Sequence, residues 1–147
     1  MLIVMHLPTS RIMRLIQLLF AAIMLLSFGC NAQQDRLDAM RTAERIHSQQ
    51  TVQDFQAIYR ESADSFKKEG EESKFVAAMR EIYEVTGPLK KATPIAYQSG
   101  FDSNIGVKHV LIFDLEFERG HGKETITLTR SKNGPMQLWD IVIEPLT

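Results

Sequence analysis

Few residues of this chain could do chemistry, and His109 is the most prominent of them. It lies within residues 107–118, where apolar and polar residues alternate, and it occupies an apolar position. This alternation predicts a β-strand with His109 on the buried face. A catalytic histidine needs an orienting partner and a nearby acid. Asp114 and Asp140 fall in the opposite phase of their strands, and Asp102 falls in a turn, so no catalytic dyad is predicted. His109 is the catalytic candidate, and a hydrogen-bonded core histidine is the alternative.

The remaining histidines do not suggest a metal site. His47, His109 and His121 are predicted at a helix end, in a strand and in a turn, without the spacing of metal ligands. We therefore expect no metal and no cofactor.

Aromatic side chains offer a different chemistry, namely the apolar walls of a ligand pocket. Their rings would supply apolar area, and the polar tips of tyrosine and tryptophan would orient a ligand. The alternative is that aromatic residues at these spacings form the core. The candidate pocket residues are Tyr59, Tyr97, His109, Phe113 and Trp139.

Cys30 is the only cysteine, and it directly follows an apolar segment. The first 29 residues contain no acidic residue, and Arg11 and Arg14 precede a run of 14 mostly apolar residues, 15–28. A run of this length is short for a membrane-spanning helix, which needs about 20 residues. A positive flank, a short apolar run and small residues near its end are typical of a secretory signal. A retained membrane anchor is the alternative, and Met13 is an alternative start to Met1.

The end of this segment resembles the lipobox of bacterial lipoproteins. Leu26, Ser27, Phe28 and Gly29 occupy its last four positions, and Cys30 would be the first mature residue. The resemblance implies that the signal is cut before Cys30 and that its thiol and new amine are acylated, which anchors the protein in the membrane. The resemblance also implies sorting to the outer membrane, facing the periplasm, because the residue after Cys30 is Asn31 and not Asp. Retention at the inner membrane stays open.

The rest of the chain is predicted to form one domain. Residues 1–29 are assigned to the signal, 30–34 to a polar tether and 35–147 to the domain. After removal of the signal, 15 basic and 18 acidic residues remain, with both signs interspersed. This composition argues against a nucleic-acid-binding protein, which would show a basic face.

Apolar periodicity predicts helices in the first half of the domain and strands in the second half. Helices are expected from residue 35 to 46, after a cap at Thr51, and from a cap at Ser73 to Thr86. Four strands follow, joined by short turns that include the hairpin signal Asn133–Gly134. The predicted fold class is α+β, with three N-terminal helices packed on a four-stranded antiparallel meander sheet. The predicted strands are Ile95–Phe101, Val107–Glu118, Lys123–Arg130 and Met136–Glu144.

This order of elements resembles the cystatin-like roll, which nuclear-transport-factor-like proteins share. The resemblance rests on Tyr59 and Phe66 in the second helix, on Phe75 and Gly87, and on the closing segment Gly134–Ile141 with its tryptophan. It implies a cone-shaped domain that holds ligands between sheet and helices. The superfamily includes isomerases, dehydratases and binding domains, so the fold alone does not assign an activity.

The outward phase of the sheet carries apolar residues as well. Val110 and Ile112 on the longest strand, with Leu138 and Val142 on the last, are predicted to form an exposed patch. Such a patch usually marks an interface. We therefore expect a homodimer or an envelope protein partner on this face.

Two functions stay open. One is a lipid-anchored envelope protein that serves as a non-enzymatic ligand- or protein-binding module. The alternative is a small enzyme of the isomerase, dehydratase or hydrolase type that uses His109 in the cone interior. The absence of a predicted acid–base pair favours the binding module.

Overall fold

The computed structural model describes residues 32–130 and 134–146. The predicted signal, Cys30 and the Asn133 half of the predicted hairpin turn lie outside these residues. Residues Leu37–Thr147 form one compact unit. No helix in the described ranges is long and apolar enough to cross a membrane.

Four helices precede the strands, where the sequence predicted three. The first, α1, covers residues 32–51 and therefore includes residues 32–34 of the predicted tether. It is followed by α2 (Phe55–Glu61), α3 (Asp64–Glu69) and α4 (Glu72–Thr86). The α+β class is confirmed, whereas the number of helices is not.

The predicted break at residues 47–50 is wrong, because α1 continues through them. The Thr51 hydroxyl donates to the His47 carbonyl, 2.8 Å away, within the last turn of α1 instead of capping a new helix. Asp54 caps α2, since its carboxylate accepts a hydrogen bond from the Ala57 N–H at 3.1 Å. The polar residues 47–50 that suggested a break thus lie inside α1, and Asp54 follows the end of that helix.

The predicted second helix is divided at Ser62 and Ala63. The Ala63 N–H donates to the Leu138 carbonyl in the last strand at 2.8 Å. An N–H used across the fold in this way is withdrawn from helical hydrogen bonding, so a new helix begins after it. The predicted cap at Ser73 is also wrong, because α4 begins at Glu72.

The strands form one antiparallel sheet in the order β1-β2-β3-β4, which confirms the predicted meander. Their bounds are β1 (Leu89–Asp102), β2 (Gly106–Phe117), β3 (Gly120–Arg130) and β4 (Met136–Leu146). β1 begins six residues before its predicted start and contains Pro94, beside a register shift. Proline is tolerated there because β1 is an edge strand.

A β-bulge in β4 reverses the predicted phase of its first half. Thr127 pairs with Asp140, while the next residue, Leu128, pairs with Leu138, so Trp139 is an extra residue between them. Leu138 therefore lies on the core face and is 2% exposed. Its assignment to an exposed interface patch is wrong, because one inserted residue exchanges the faces of a strand.

The core lies between the sheet and the helices. Helix α1 contributes Ala39, Ala43 and Ile46, and it crosses the face of β2 and β3, as its contacts with Phe113, Glu124 and Arg130 show. Helices α2 and α4 pack against each other, and α2 and α3 contact β4. The inward residues of the strands include Leu111, Phe113, Leu115, Phe117, Ile126, Leu128, Met136 and Leu138.

Candidate functional sites

The most unusual polar residue of the interior is Glu124, whose side chain has no exposed surface. It projects from β3 in the same phase as Ile126 and Leu128. Helix α1 supplies its partners. The His47 Nε2 atom lies 2.5 Å from Glu124 Oε2, and the Gln50 Nε2 atom donates to Glu124 Oε1 at 2.7 Å. His47 and Gln50 are one helical turn apart, so they reach the same carboxyl group.

His47 is held on a second side by an aromatic ring. Its imidazole meets Phe113 edge to face, with ring centroids 4.6 Å apart. The side chain is 12% exposed, and its described polar contact is through Nε2. Because Nε2 and Oε2 approach so closely, one hydrogen must lie between them. A histidine that acts as a general base is often oriented by a carboxyl group in the same way.

This dyad is not among the sites predicted from the sequence, where His47 is weighed only as a metal ligand and Glu124 is not a candidate. A signal was available, because Glu124 interrupts the apolar phase of β3, and buried carboxylates need partners. The partner could not be read locally, since His47 is 77 residues away in the chain.

Gln50 connects the dyad to a small apolar cavity. The cavity volume is about 20 Å³, room for roughly one water molecule, and its walls come from α1, α2, α4 and the strand ends. Gln50 lines this cavity and also donates to Glu124. The carboxyl group therefore lies directly behind one cavity wall.

His109 occupies the buried position that its strand phase predicted, and it is 2% exposed. The Tyr97 hydroxyl lies 2.9 Å from His109 Nδ1, and the two rings are stacked with an interplanar angle of 22°. Phe113, whose ring lies against His47, is four positions after His109, which is about 13 Å along β2. The two histidines therefore belong to separate polar contacts in the interior.

A second cavity lies between α2, α3, α4 and β4 and includes the predicted pocket residue Tyr59. Its total empty volume is about 510 Å³, open mouth included. Tyr59, Phe66 and Phe75 form its aromatic wall, with ring centroids 5.5–6.0 Å apart. Of the five predicted pocket residues, Tyr59 alone lines this cavity.

The other predicted pocket residues lie elsewhere. Tyr97 and His109 contact each other, Phe113 is buried against His47, and Trp139 is half-buried at the β4 bulge. Within residues 32–130 and 134–146, no three or more His, Cys, Asp or Glu side chains are grouped so that they could hold a metal ion.

The outer face of the sheet keeps three of the four predicted interface residues. Ile112 pairs with Thr125, which pairs with Val142, so these side chains form a row across the sheet. Val142 is 45% exposed, while Val110 and Ile112 are half-buried.

Comparison with known proteins gives the chain no family: no protein-family model, no curated protein and no solved structure matches it.

Proposed function

We propose that the protein is a lipid-anchored component of the bacterial cell envelope whose folded domain is a non-enzymatic binding module. The membrane attachment rests on the lipobox-like residues 26–30 and on the absence of any other cysteine. A compact unit begins at Leu37, a few residues after this segment in the sequence. Lipidated Cys30 would therefore hold the domain at the membrane surface, with the outer membrane facing the periplasm as the proposed location.

The cystatin-like assignment of the domain belongs to the same proposal. It is supported by helices that precede a four-stranded antiparallel meander and by α1, which crosses the inner face of the sheet. In such a roll, ligands bind where helices and sheet leave a cavity. The cavity beside Tyr59 is bounded in this way, by three helices and β4.

The observation that carries the proposal is the separation of polar interior groups from the open aromatic cavity. Glu124 is bonded to His47 and Gln50, and His109 to Tyr97. The cavity beside Tyr59 is lined by aromatic, acidic and lysine side chains and one glycine, with no histidine, serine or cysteine. Such walls offer aromatic area and charge to a ligand and carry no serine or cysteine nucleophile.

Native mass spectrometry of the full-length chain, purified from membranes in a mild non-ionic detergent, tests this proposal. A binding module should retain a non-covalent adduct of a few hundred daltons, which collisional activation removes. Protein without adducts in every charge state, and without a co-purifying protein partner, would contradict a binding function.

The His47–Glu124 dyad favours one second candidate, a small enzyme of the isomerase, dehydratase or hydrolase type. Its support is the 2.5 Å contact between His47 Nε2 and Glu124 Oε2. In this candidate His47 replaces His109 as the base. Incubation of the protein with the co-purified ligand should then convert it to a product that differs in mass or, for an isomerase, in chromatographic retention and NMR spectrum. His47→Gln should stop the conversion whereas His109→Gln should not. A ligand whose mass, retention and spectrum stay unchanged with wild-type protein would rule out catalysis on that ligand.

A further inference from the structure

The cavity between α2, α3, α4 and β4 has walls that combine aromatic rings with negative charge. Phe66 and Phe75 meet edge to face at 5.5 Å with an interplanar angle of 83°. The Tyr59 ring lies 6.0 Å from each of them. All three rings are partly exposed, so they are open to a ligand. The face of an aromatic ring attracts cations through its quadrupole.

The rim of the same cavity has an excess of carboxylates. Glu69, Glu71 and Asp140 line it together with one lysine, Lys74. Lys74 lies 3.7 Å from Glu71, and both side chains are largely exposed, so this pair uses one of the three acids. Two negative charges remain without a cation in the cavity lining.

Asp140 is the more significant of the two remaining acids. The residue is half-buried, and among the described residues its carboxylate has neither an ion-pair nor a hydrogen-bond partner. Its position at the cavity depends on β4, where it follows the bulge at Trp139. A carboxylate that is partly withdrawn from water gains more from a cation than a fully exposed one does.

The aromatic wall is fixed before any ligand arrives. The Tyr59 hydroxyl donates to the Gly70 carbonyl at 2.7 Å, and the Lys67 carbonyl lies 3.3 Å away. This contact ties α2 to the end of α3 and to the connection that leads into α4. A ring held in this way loses little conformational freedom on binding, which favours affinity.

We propose that this cavity binds a small organic cation that carries an alkylammonium group. The inference rests on the binding function proposed above and names the chemistry of its ligand. The alkyl groups would contact the rings of Tyr59, Phe66 and Phe75, and the positive charge would face Asp140 and Glu69. The cavity volume available to a ligand is about 210 Å³, which is below the range of drug-sized sites and suits a cation of a few heavy atoms.

Two probes of the same shape test the role of charge. Choline carries a quaternary ammonium, and 3,3-dimethyl-1-butanol has a carbon atom in place of the nitrogen. Calorimetric titration of the full-length protein in non-ionic detergent, at matched ionic strength, should show choline binding about tenfold tighter than the alcohol. Equal affinity of the two probes, or binding of neither, would overturn the proposal.

Substitutions assign the binding to this cavity. Asp140→Asn should weaken choline binding about fivefold and leave the affinity for the alcohol unchanged. Phe75→Leu should weaken it too, because a ring face is lost. Glu81→Gln is the matched control, since it removes the same charge from an exposed position of α4 that does not line the cavity. Equal loss of choline affinity in Asp140→Asn and Glu81→Gln would overturn the assignment.

The lipid headgroup of phosphatidylcholine carries the same ammonium group, and a co-sedimentation assay separates this source from a free ligand. Binding to free choline but not to phosphatidylcholine vesicles is the expected result, measured with residues 31–147, which contain the compact unit and lack both the apolar segment and Cys30. Stronger vesicle binding that Asp140→Asn abolishes would overturn the free-ligand proposal in favour of a lipid headgroup. If choline fails to bind while native mass spectrometry still detects another adduct, the ligand chemistry is wrong and the proposed binding function stands.

Discussion

At the scale of single residues, Glu124 shows how this domain accommodates a buried carboxyl group. Both oxygens are engaged, one by the His47 ring and one by the Gln50 amide. Removal of one member of such a group leaves the others buried without partners, which costs more than the net stabilisation of the intact group. The polar triad therefore constrains α1 against β3 whether or not it has a catalytic role.

Glu124→Leu should lower the free energy of unfolding by about 3 kcal/mol, because His47 and Gln50 then lose their common partner. Glu116→Leu is the matched control at an exposed position of the adjacent strand and should change it by less than about 0.5 kcal/mol. Urea denaturation followed by circular dichroism measures both. Similar small effects for the two variants would mean that the triad does not stabilise the fold.

At the scale of elements, the bulge in β4 decides which side chains enter the core. The extra residue Trp139 shifts the inward–outward alternation of β4, so Leu138 before it and Ile141 after it both pack inward. The predicted alternation of this strand holds only after the bulge. The same segment contacts α2 and α3, and its Leu138 carbonyl accepts the Ala63 N–H that divides these two helices.

Leu138→Ala should destabilise the domain by about 3 kcal/mol through the cavity left in the core. Val142→Ala, on the outer face of the same strand, should cost no more than about 0.5 kcal/mol. Thermal unfolding of the two variants side by side measures the difference. If Val142→Ala were the more destabilising of the two, the position of the bulge would be incorrect.

The end of α4 depends on the backbone of Gly87, which has a φ of 74°. Its N–H closes the helix by donating to the Tyr83 carbonyl, and a Cβ there would lie 3.0 Å from the Cβ of Glu118. Gly87→Ala should therefore lower the unfolding free energy by at least about 1 kcal/mol. Gly100→Ala, which meets no atom within 4 Å, is the control. Equal stability of the two variants in chemical denaturation would refute this account.

Elements that follow a local residue pattern could be predicted from the sequence, whereas features that depend on contacts between distant residues could not. The strand β2 could be predicted because one face is buried along most of its length, which gives a clear alternation from His109 to Phe117. The division at Ser62 and the bulge at Trp139 could not, because each depends on pairing with a distant segment. Glu124 was recognisable as an anomaly, whereas its partners required the fold.

At the scale of the whole molecule, the outer face of the sheet is a surface that a second copy or another protein could cover. Its row of Ile112, Thr125 and Val142 crosses three strands, and Val110 lies beside it on β2. The loss of Leu138 to the core makes this patch smaller than the sequence predicted. It stays the predicted interface.

Ile112→Lys should abolish a dimer that uses this face, because it places a charge within the apolar row. Sedimentation velocity of the full-length chain in detergent, with detergent mass subtracted, should show a dimer for wild type and a monomer for the variant. Thr93→Lys, at an exposed position of β1, is the control and should stay dimeric. A dimer that persists in Ile112→Lys would contradict the interface.

The proposed function depends on membrane attachment through Cys30, which intact mass spectrometry of the protein from the membranes of a lipoprotein-processing bacterium can test. We expect a chain that begins at Cys30 and carries a diacylglycerol thioether and an acylated amine. We also expect that Cys30→Ala yields no lipid-modified chain. An unmodified Cys30, or a mature chain that still contains residues 1–29, would contradict this attachment.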